Sequence, residues 1–221
     1  MEETKLLKEN EGGRYALKGS RLWGALLFLI LLLIDQITKI VADVYFVEIA
    51  GANERIALIP NMLELCISYN RGIAFSSFES SSEIFKIGIV VVTGLMMLGL
   101  AVFYCRVDKR RTVLRIALVL IVAGGVGNLI DRVYYQVWDP ETVAIVRDGV
   151  RDMVRVNIIF DFGVCNFADF FITGGAVLLV LALLFFDTDA IFPIGKKYKA
   201  LAKEAEEKAE QKKKEKENKA E

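Results

Sequence analysis

Asp169 stands in the run Asn166-Phe167-Ala168-Asp169, directly before the apolar stretch 170–186, and Asp152 lies shortly before it in the same connection. A carboxylate at the edge of a bilayer is costly and marks a functional site by default. Two carboxylates in reach of one another cannot both ionise freely, so one keeps a proton while the other can deprotonate a water molecule. Spacing alone does not single out Asp152: Asp131, Asp148 and Asp161 are equally eligible partners for Asp169. The chain has no histidine, which excludes Ser-His-Asp and Cys-His catalysis and any His-ligated metal. Cys66, Cys105 and Cys165 lack the close pairing of zinc or redox motifs and read as free thiols, although Cys66 and Cys165 could meet outside a membrane. Titratable chemistry falls to Asp, Glu, Lys, Arg or Tyr, and an aspartate pair calls for no metal or cofactor.

The elements that must position these residues are set by segregation. The 221-residue chain is 54% hydrophobic yet 25% charged, with a mean hydropathy of +0.42, and the two properties occupy different stretches. Apolar runs cover 22–44 (interrupted by Asp35 and Lys39), 87–105, 116–130 and 170–186. A membrane-crossing helix needs about 20 mainly apolar residues, so these runs predict four spans; four buried helices of a soluble core are the weaker alternative. The first run continues through Asp35-Gln36-Ile37-Thr38-Lys39 without a small-residue cleavage pattern, so it is not a cleaved signal peptide. Basic residues crowd the segment before the first span, the connection 106–115 and the stretch after the fourth, which puts these three regions and both termini in the cytoplasm. The connections 45–85 and 131–168 then face outward. The expected organisation is a cytoplasmic segment 1–21, a four-span domain 22–190 and a charged cytoplasmic tail 191–221, the tail read as a solvated helix or disordered chain. Lys+Arg 28 against Asp+Glu 28 leaves no net charge, so no global field points to nucleic acid.

Within the first outer connection, Leu63, Leu65, Ile67 and Tyr69 alternate with Glu64, Cys66 and Ser68 after a Pro60-Asn61 turn, which is strand periodicity. A small sheet on the outer surface follows, and the 79–83 stretch can cap the second span. Polar residues gather at the outer mouth of every span. Asp35 and Lys39 are four apart on one helical face and can pair. Asn70-Arg71-Gly72-Ile73-Ala74-Phe75 precedes the second span, and Gly124-Gly125-Val126-Gly127-Asn128-Leu129-Ile130-Asp131-Arg132 ends the third. Each has a plainer reading: the glycines can serve close packing as readily as substrate access, Asp131 and Arg132 can form an interfacial ion pair, and Asn128 and Asn166 can satisfy buried backbone. Their convergence on one side is the stronger signal. A proton relay through Asp35, Asp131 and Asp169, as in a small transporter, is the competing use of such groups, and it needs them spread through membrane depth.

The four segments Asp35-Gln36-Ile37-Thr38-Lys39, Asn70 to Phe75, Gly127-Asn128-Leu129-Ile130-Asp131-Arg132 and Asn166-Phe167-Ala168-Asp169 occur in the order seen in bacterial lipoprotein signal peptidases, and the chain resembles that family of membrane aspartic peptidases from its first span to its fourth. The resemblance implies an all-α membrane fold of four transmembrane helices with a small β-sheet element on the outer, periplasmic side. It implies Asp152 and Asp169 as the catalytic pair, the former through Gly149-Val150-Arg151-Asp152-Met153-Val154. Asn128, Arg132, Asn166, Asn70 and Asp131 would support the pair or the substrate, and Asp35 and Lys39 would brace the helices. The implied activity is removal of the signal peptide from diacylglyceryl-modified prolipoproteins, cutting before the lipidated cysteine. The implied partners are those substrates and membrane lipids, the implied location is the bacterial inner membrane with the site at its outer face, and a monomer is expected. The chain departs from the family in a longer stretch between Arg132 and Asp152, in Arg151 where an apolar residue is usual, and in Cys165 where Phe is usual.

Overall fold

The computed structural model describes residues 2–51, 53–70, 83–109, 111–138, 149–158 and 161–186, with positions 199, 203, 206, 207, 209–211 and 214 of the tail. The apolar runs form helices α1 (Glu2–Asp43), α2 (Glu83–Arg106), α3 (Thr112–Arg132) and α4 (Phe167–Phe185). All four are long and apolar enough to cross a membrane. The helix of the first span begins at Glu2, so the N-terminal segment and the span share one continuous rod. α1 passes into a π-helical stretch, Val44–Ala50, that ends at Gly51 with φ +111°, and α3 passes into another, Val133–Trp138.

The α1–α2 and α3–α4 connections build one four-stranded antiparallel sheet in the order β1 (Ile56–Ile59), β2 (Leu63–Asn70), β3 (Val150–Asn157), β4 (Asp161–Cys165). The strand read at 63–69 is therefore the second of four. Asn61 closes the β1–β2 connection with φ +61°, a left-handed conformation that Asn tolerates because its side chain can bond locally. Strand β3 separates Cys66 on β2 from Cys165 on β4. Two interstrand spacings are about 9.5 Å, beyond the roughly 7 Å limit for a disulfide, and all three thiols are free.

Helix α3 is the hub. Of its apolar window 61% is buried, against 17%, 11% and 17% for the other three spans, and it packs on α1, α2 and α4. Its glycines are packing residues. A methyl group at Gly124 would stand 2.4 Å from the Ala168 carbonyl oxygen, and one at Gly127 would stand 2.4 Å from an Asp35 carboxylate oxygen. These close approaches bring the start of α4 and the polar turn of α1 against the last turns of α3, where the site lies. Below the sheet, Ala42, Phe46, Met153 and Val154 form an apolar cluster with Leu63, Leu65 and Phe167 against them. At the other end Leu114, Leu118 and Ala182 pack α3 on α4. The described tail residues are helical and exposed.

Candidate active site

Asp169 is placed by a local motif. Asn166 is extended (φ −130°, ψ 178°) and caps α4, its side-chain oxygen accepting from the Asp169 N–H at 3.0 Å. The Asp169 carboxylate returns the bond, Oδ2 accepting from the Asn166 N–H at 3.1 Å. This reciprocal capping box satisfies two backbone donors that a helix start leaves open. The other carboxylate oxygen, Oδ1, accepts from Asn128 Nδ2 on α3 at 2.8 Å.

Asp152 is placed by residues remote in sequence. It lies on β3 opposite Ser68 of β2 and is 2% exposed. Asn166 Nδ2 donates to its Oδ1 at 2.6 Å, and the Asn70 side chain also hydrogen-bonds it. Burial, and next the negative charge of Asp169, push the Asp152 carboxyl up to about 7, against the opposing effects of Asn166, Asn70 and Lys39. Asn166 thus bonds both carboxylates at once. Its amide orientation follows from its partners: Nδ2 donates to Asp152 and to Asn128 Oδ1 (3.1 Å) while Oδ1 accepts from a backbone N–H.

A buried ion network supports this pair from α1 and α3. Lys39 Nζ contacts Asp35 Oδ2 at 2.9 Å and Asp131 Oδ2 at 3.6 Å, and donates to Asn128 Oδ1 at 2.9 Å. Asp35, Lys39 and Asp131 are all 0% exposed. Buried charges persist only when paired and hydrogen-bonded, and here they are: Asp35 also accepts from the Ala168 N–H at 2.9 Å and from Gln36 Nε2 at 3.0 Å. Asp131 forms ion pairs with Arg151 at 2.7 Å and with Lys39. Arg132 is buried in the combined field of Asp169, Asp152 and Asp131.

The structure therefore gathers Asp35, Lys39, Asn70, Asn128, Asp131, Arg132, Asp152, Asn166 and Asp169 at one end of the bundle. It does not bring Asp161 there. Asp161 pairs with Arg155 at 2.7 Å on the outer part of the sheet, facing Asn157, five residues or roughly 16 Å of strand from Asp152. Asp148 and residues 71–75 and 79–82 lie outside the described residues. The relay alternative finds no support, because Asp35, Asp131 and Asp169 join a single hydrogen-bonded cluster through Lys39 and Asn128. Cys165 adds no nucleophile: burial, then the charges of Asp169 and Asp152, push its thiol up to about 12, so the reactive thiolate is absent at neutral pH. Two participants escape sequence reasoning. Gln36 ties α1 to the Gly127 carbonyl at 3.1 Å, and Arg151 binds Asp131; the only hint of the latter was a charge where the pattern expects an apolar residue. An apolar cavity of about 650 Å³ opens between α1, the sheet and α4, with Met153 and Val154 on one wall and Phe167 and Phe170 on another; neither aspartate lines it.

The chain is similar to proteins of known type along most of this architecture. A family model described as signal peptidase (SPase) II matches residues 27–185. The lipoprotein signal peptidase of Fusobacterium nucleatum subsp. nucleatum is 35% identical over 163 residues, covering 73% of this chain and 86% of that protein. That of Streptococcus pyogenes is 30% identical over 156 residues, covering 70% and 88%. Two solved structures of a bacterial membrane enzyme, obtained by the in meso method, share its fold. One has a TM-score of 0.56 at 25% identity, covering 73% of this chain and 87% of that one; the other has 0.57 at 26%, covering 73% and 92%.

Proposed function

This chain belongs to the signal peptidase II family, and from that premise we propose that Asp152 and Asp169 are the carboxylates with which it hydrolyses its substrate. It is a multi-pass membrane hydrolase that removes signal peptides from prolipoproteins. The observation that carries the assignment is Asn166, which hydrogen-bonds one aspartate with its side chain and exchanges capping bonds with the other. Asp152, whose carboxyl is raised to about 7, keeps the shared proton, and Asp169 acts as base.

In the first step Asp169 takes a proton from water as its oxygen attacks the scissile carbonyl, while Asp152 gives its proton to the carbonyl oxygen. The resulting diol collapses as a proton passes to the departing amine and the C–N bond breaks. Asn128 and Asn166 hold the carboxylates at fixed separation, and Asp35, Lys39 and Asp131 hold the asparagines. The bond cut is the one before a diacylglyceryl-modified cysteine. The apolar cavity beside Met153 and Phe170 suits the substrate's apolar chains, which explains a hydrolytic site placed at a bilayer surface. In this reading the enzyme is a monomer in a bacterial inner membrane. Its termini, including the segment 1–21 and the tail 191–221, are cytoplasmic, and the sheet and site are at the outer face.

The test is direct. Purified protein incubated with a diacylglyceryl-modified precursor releases the signal peptide, the unmodified precursor stays intact, and Asp152→Asn and Asp169→Asn are each inert. An active Asp152→Asn beside a dead Asp131→Asn at equal expression would transfer the first role to Asp131.

A further inference from the structure

We propose that Arg151 is a positioning residue for Asp152: it clamps strand β3 to the last turn of α3 through Asp131, and so fixes the carboxylate one residue further along. The inference rests on the aspartate-pair reading above.

The clamp has three prongs. The Arg151 backbone N–H and Nε donate to Asp131 Oδ2 at 2.9 Å and 3.3 Å, and Nη2 donates to Asp131 Oδ1 at 2.7 Å. Bidentate guanidinium–carboxylate pairing fixes angle as well as distance. The same Nη2 donates to Gln36 Oε1 at 3.4 Å, and the guanidinium lies 5.1 Å from the Tyr135 ring centroid. Arg151 is 5% exposed, so these bonds are shielded from water. Adjacent residues of a strand point to opposite faces. Arg151 therefore acts on Asp152 through the backbone and does not touch the reacting atoms.

The position needs such a clamp. The ladder between β3 and β4 stops at Val154, opposite Cys165, so Asp152 lies beyond it. On the other edge the β2–β3 register breaks between Leu65 and Ser68, leaving Ser68, Tyr69 and Asn70 to pair with the Asp152, Arg151 and Val150 segment. The strand is thus held at Asp152 by one short ladder and by Asp131. Asp131 follows Asn128 by three residues and shares its face of α3. Asn128 holds Asp169; Asp131 holds the residue beside Asp152. One helical turn sets both ends of the carboxylate separation.

Cleavage of the lipid-modified precursor, per folded molecule and across pH, tests the proposal. Arg151→Met removes the two guanidinium prongs and leaves the backbone bond to Asp131 Oδ2. Arg151→Met combined with Asp131→Asn removes the ion pair without stranding a buried charge, and so guards against misfolding. Both are expected to lower kcat roughly tenfold, since a small misplacement of a reacting group is expensive, with KM within about twofold. Arg151→Lys keeps the charge without the fork and gives an intermediate kcat. A loosened β3 admits water to Asp152, which faces Asp169, Asn166, Asn70 and Lys39, so the alkaline limb of the pH profile moves to lower pH. Unchanged kcat and an unchanged limb in folded variants, or a loss confined to yield or to KM, would overturn the proposal. Asp152→Asn run alongside separates the two claims: if it is active the pair itself is wrong, whereas if it is dead while the folded Arg151 variants are normal only the clamp is wrong.

Discussion

The first turn of α4 and the middle of β3 each present one aspartate to the same asparagine, and they do so by opposite means. Asp169 is held mainly by its own neighbourhood, with cap, return bond and helix start all within Asn166–Asp169 and one further bond from Asn128 of α3. Asp152 is held by Ser68, Asn70 and Asn166 and by a strand whose other anchor is Asp131. The first arrangement is built largely from four consecutive residues; the second exists only when α3, β2, β3 and α4 are assembled. A pair wired this way cannot form before the fold is complete, so the proposed aspartate mechanism ties hydrolysis to correct assembly.

The comparison can be broken most severely at the carboxylates. Asp152→Asn and Asp169→Asn keep shape without the acid–base function, and each is expected to reduce cleavage at least about 1000-fold with the protein still inserted, read by release of signal peptide from precursor. Asn166→Ala removes the one side chain common to both regions; activity is expected to fall on the order of 100-fold, more than for Asn128→Ala, since Asn128 bonds Asp169, Lys39 and Asn166 rather than Asp152.

Effects on the support are smaller and appear in the amount of folded enzyme. Asp35→Ala leaves Lys39 short of a partner and should cost about 3 kcal/mol. Asp35→Ala with Lys39→Ala should recover part of that, because Asp131 retains Arg151; detergent melting curves and yields read both. A normal yield and melting temperature for inactive Asp35→Ala would move Asp35 into the chemistry.

The smallest contrast separates the two regions by stability. The folded pKa of Asp152, about 7, lies above its ordinary value of 3.8. The folded state therefore binds this proton more tightly, stability falls as pH rises from about 4 to 7, and the full cost is present above that. Asp152→Asn should melt higher than the wild type at pH 8, by up to a few kcal/mol in order of magnitude, with the gain shrinking towards pH 4. Asp169→Ala should melt lower instead, by about 1 kcal/mol, because it breaks the capping box. A lower melting temperature for Asp152→Asn at pH 8 would show that the carboxylate contributes more through its bonds than burial costs it.

The same contrast explains what could be read from the residues. The four spans are legible because twenty apolar residues in a row have few other uses. The α4 start is legible because a capping box is a local code. Strand β2 shows because its sheet faces differ. Strand β3 does not, because residues 150–154 are buried on both faces and Val150, Arg151, Asp152 and Met153 show no alternation; Asp152 could be preferred over Asp131 or Asp161 only through family resemblance. The exposed apolar β1 and the short β4 lack a period to read. Arg151 was visible as an oddity and not as a clamp, since its partner lies 20 residues away.

The two side chains that link the aspartates, Asn166 and Asn128, are amides. Amides neither gain nor lose protons in the range where enzymes work. They convey position and carry no charge, so the groups that align the pair add no proton of their own, while the charges of Lys39 and Arg132 still reach it. The chain has no imidazole, the one side chain whose ordinary pKa lies near neutrality. The catalytic pH response then reduces to a two-proton switch, open only while a single proton is shared.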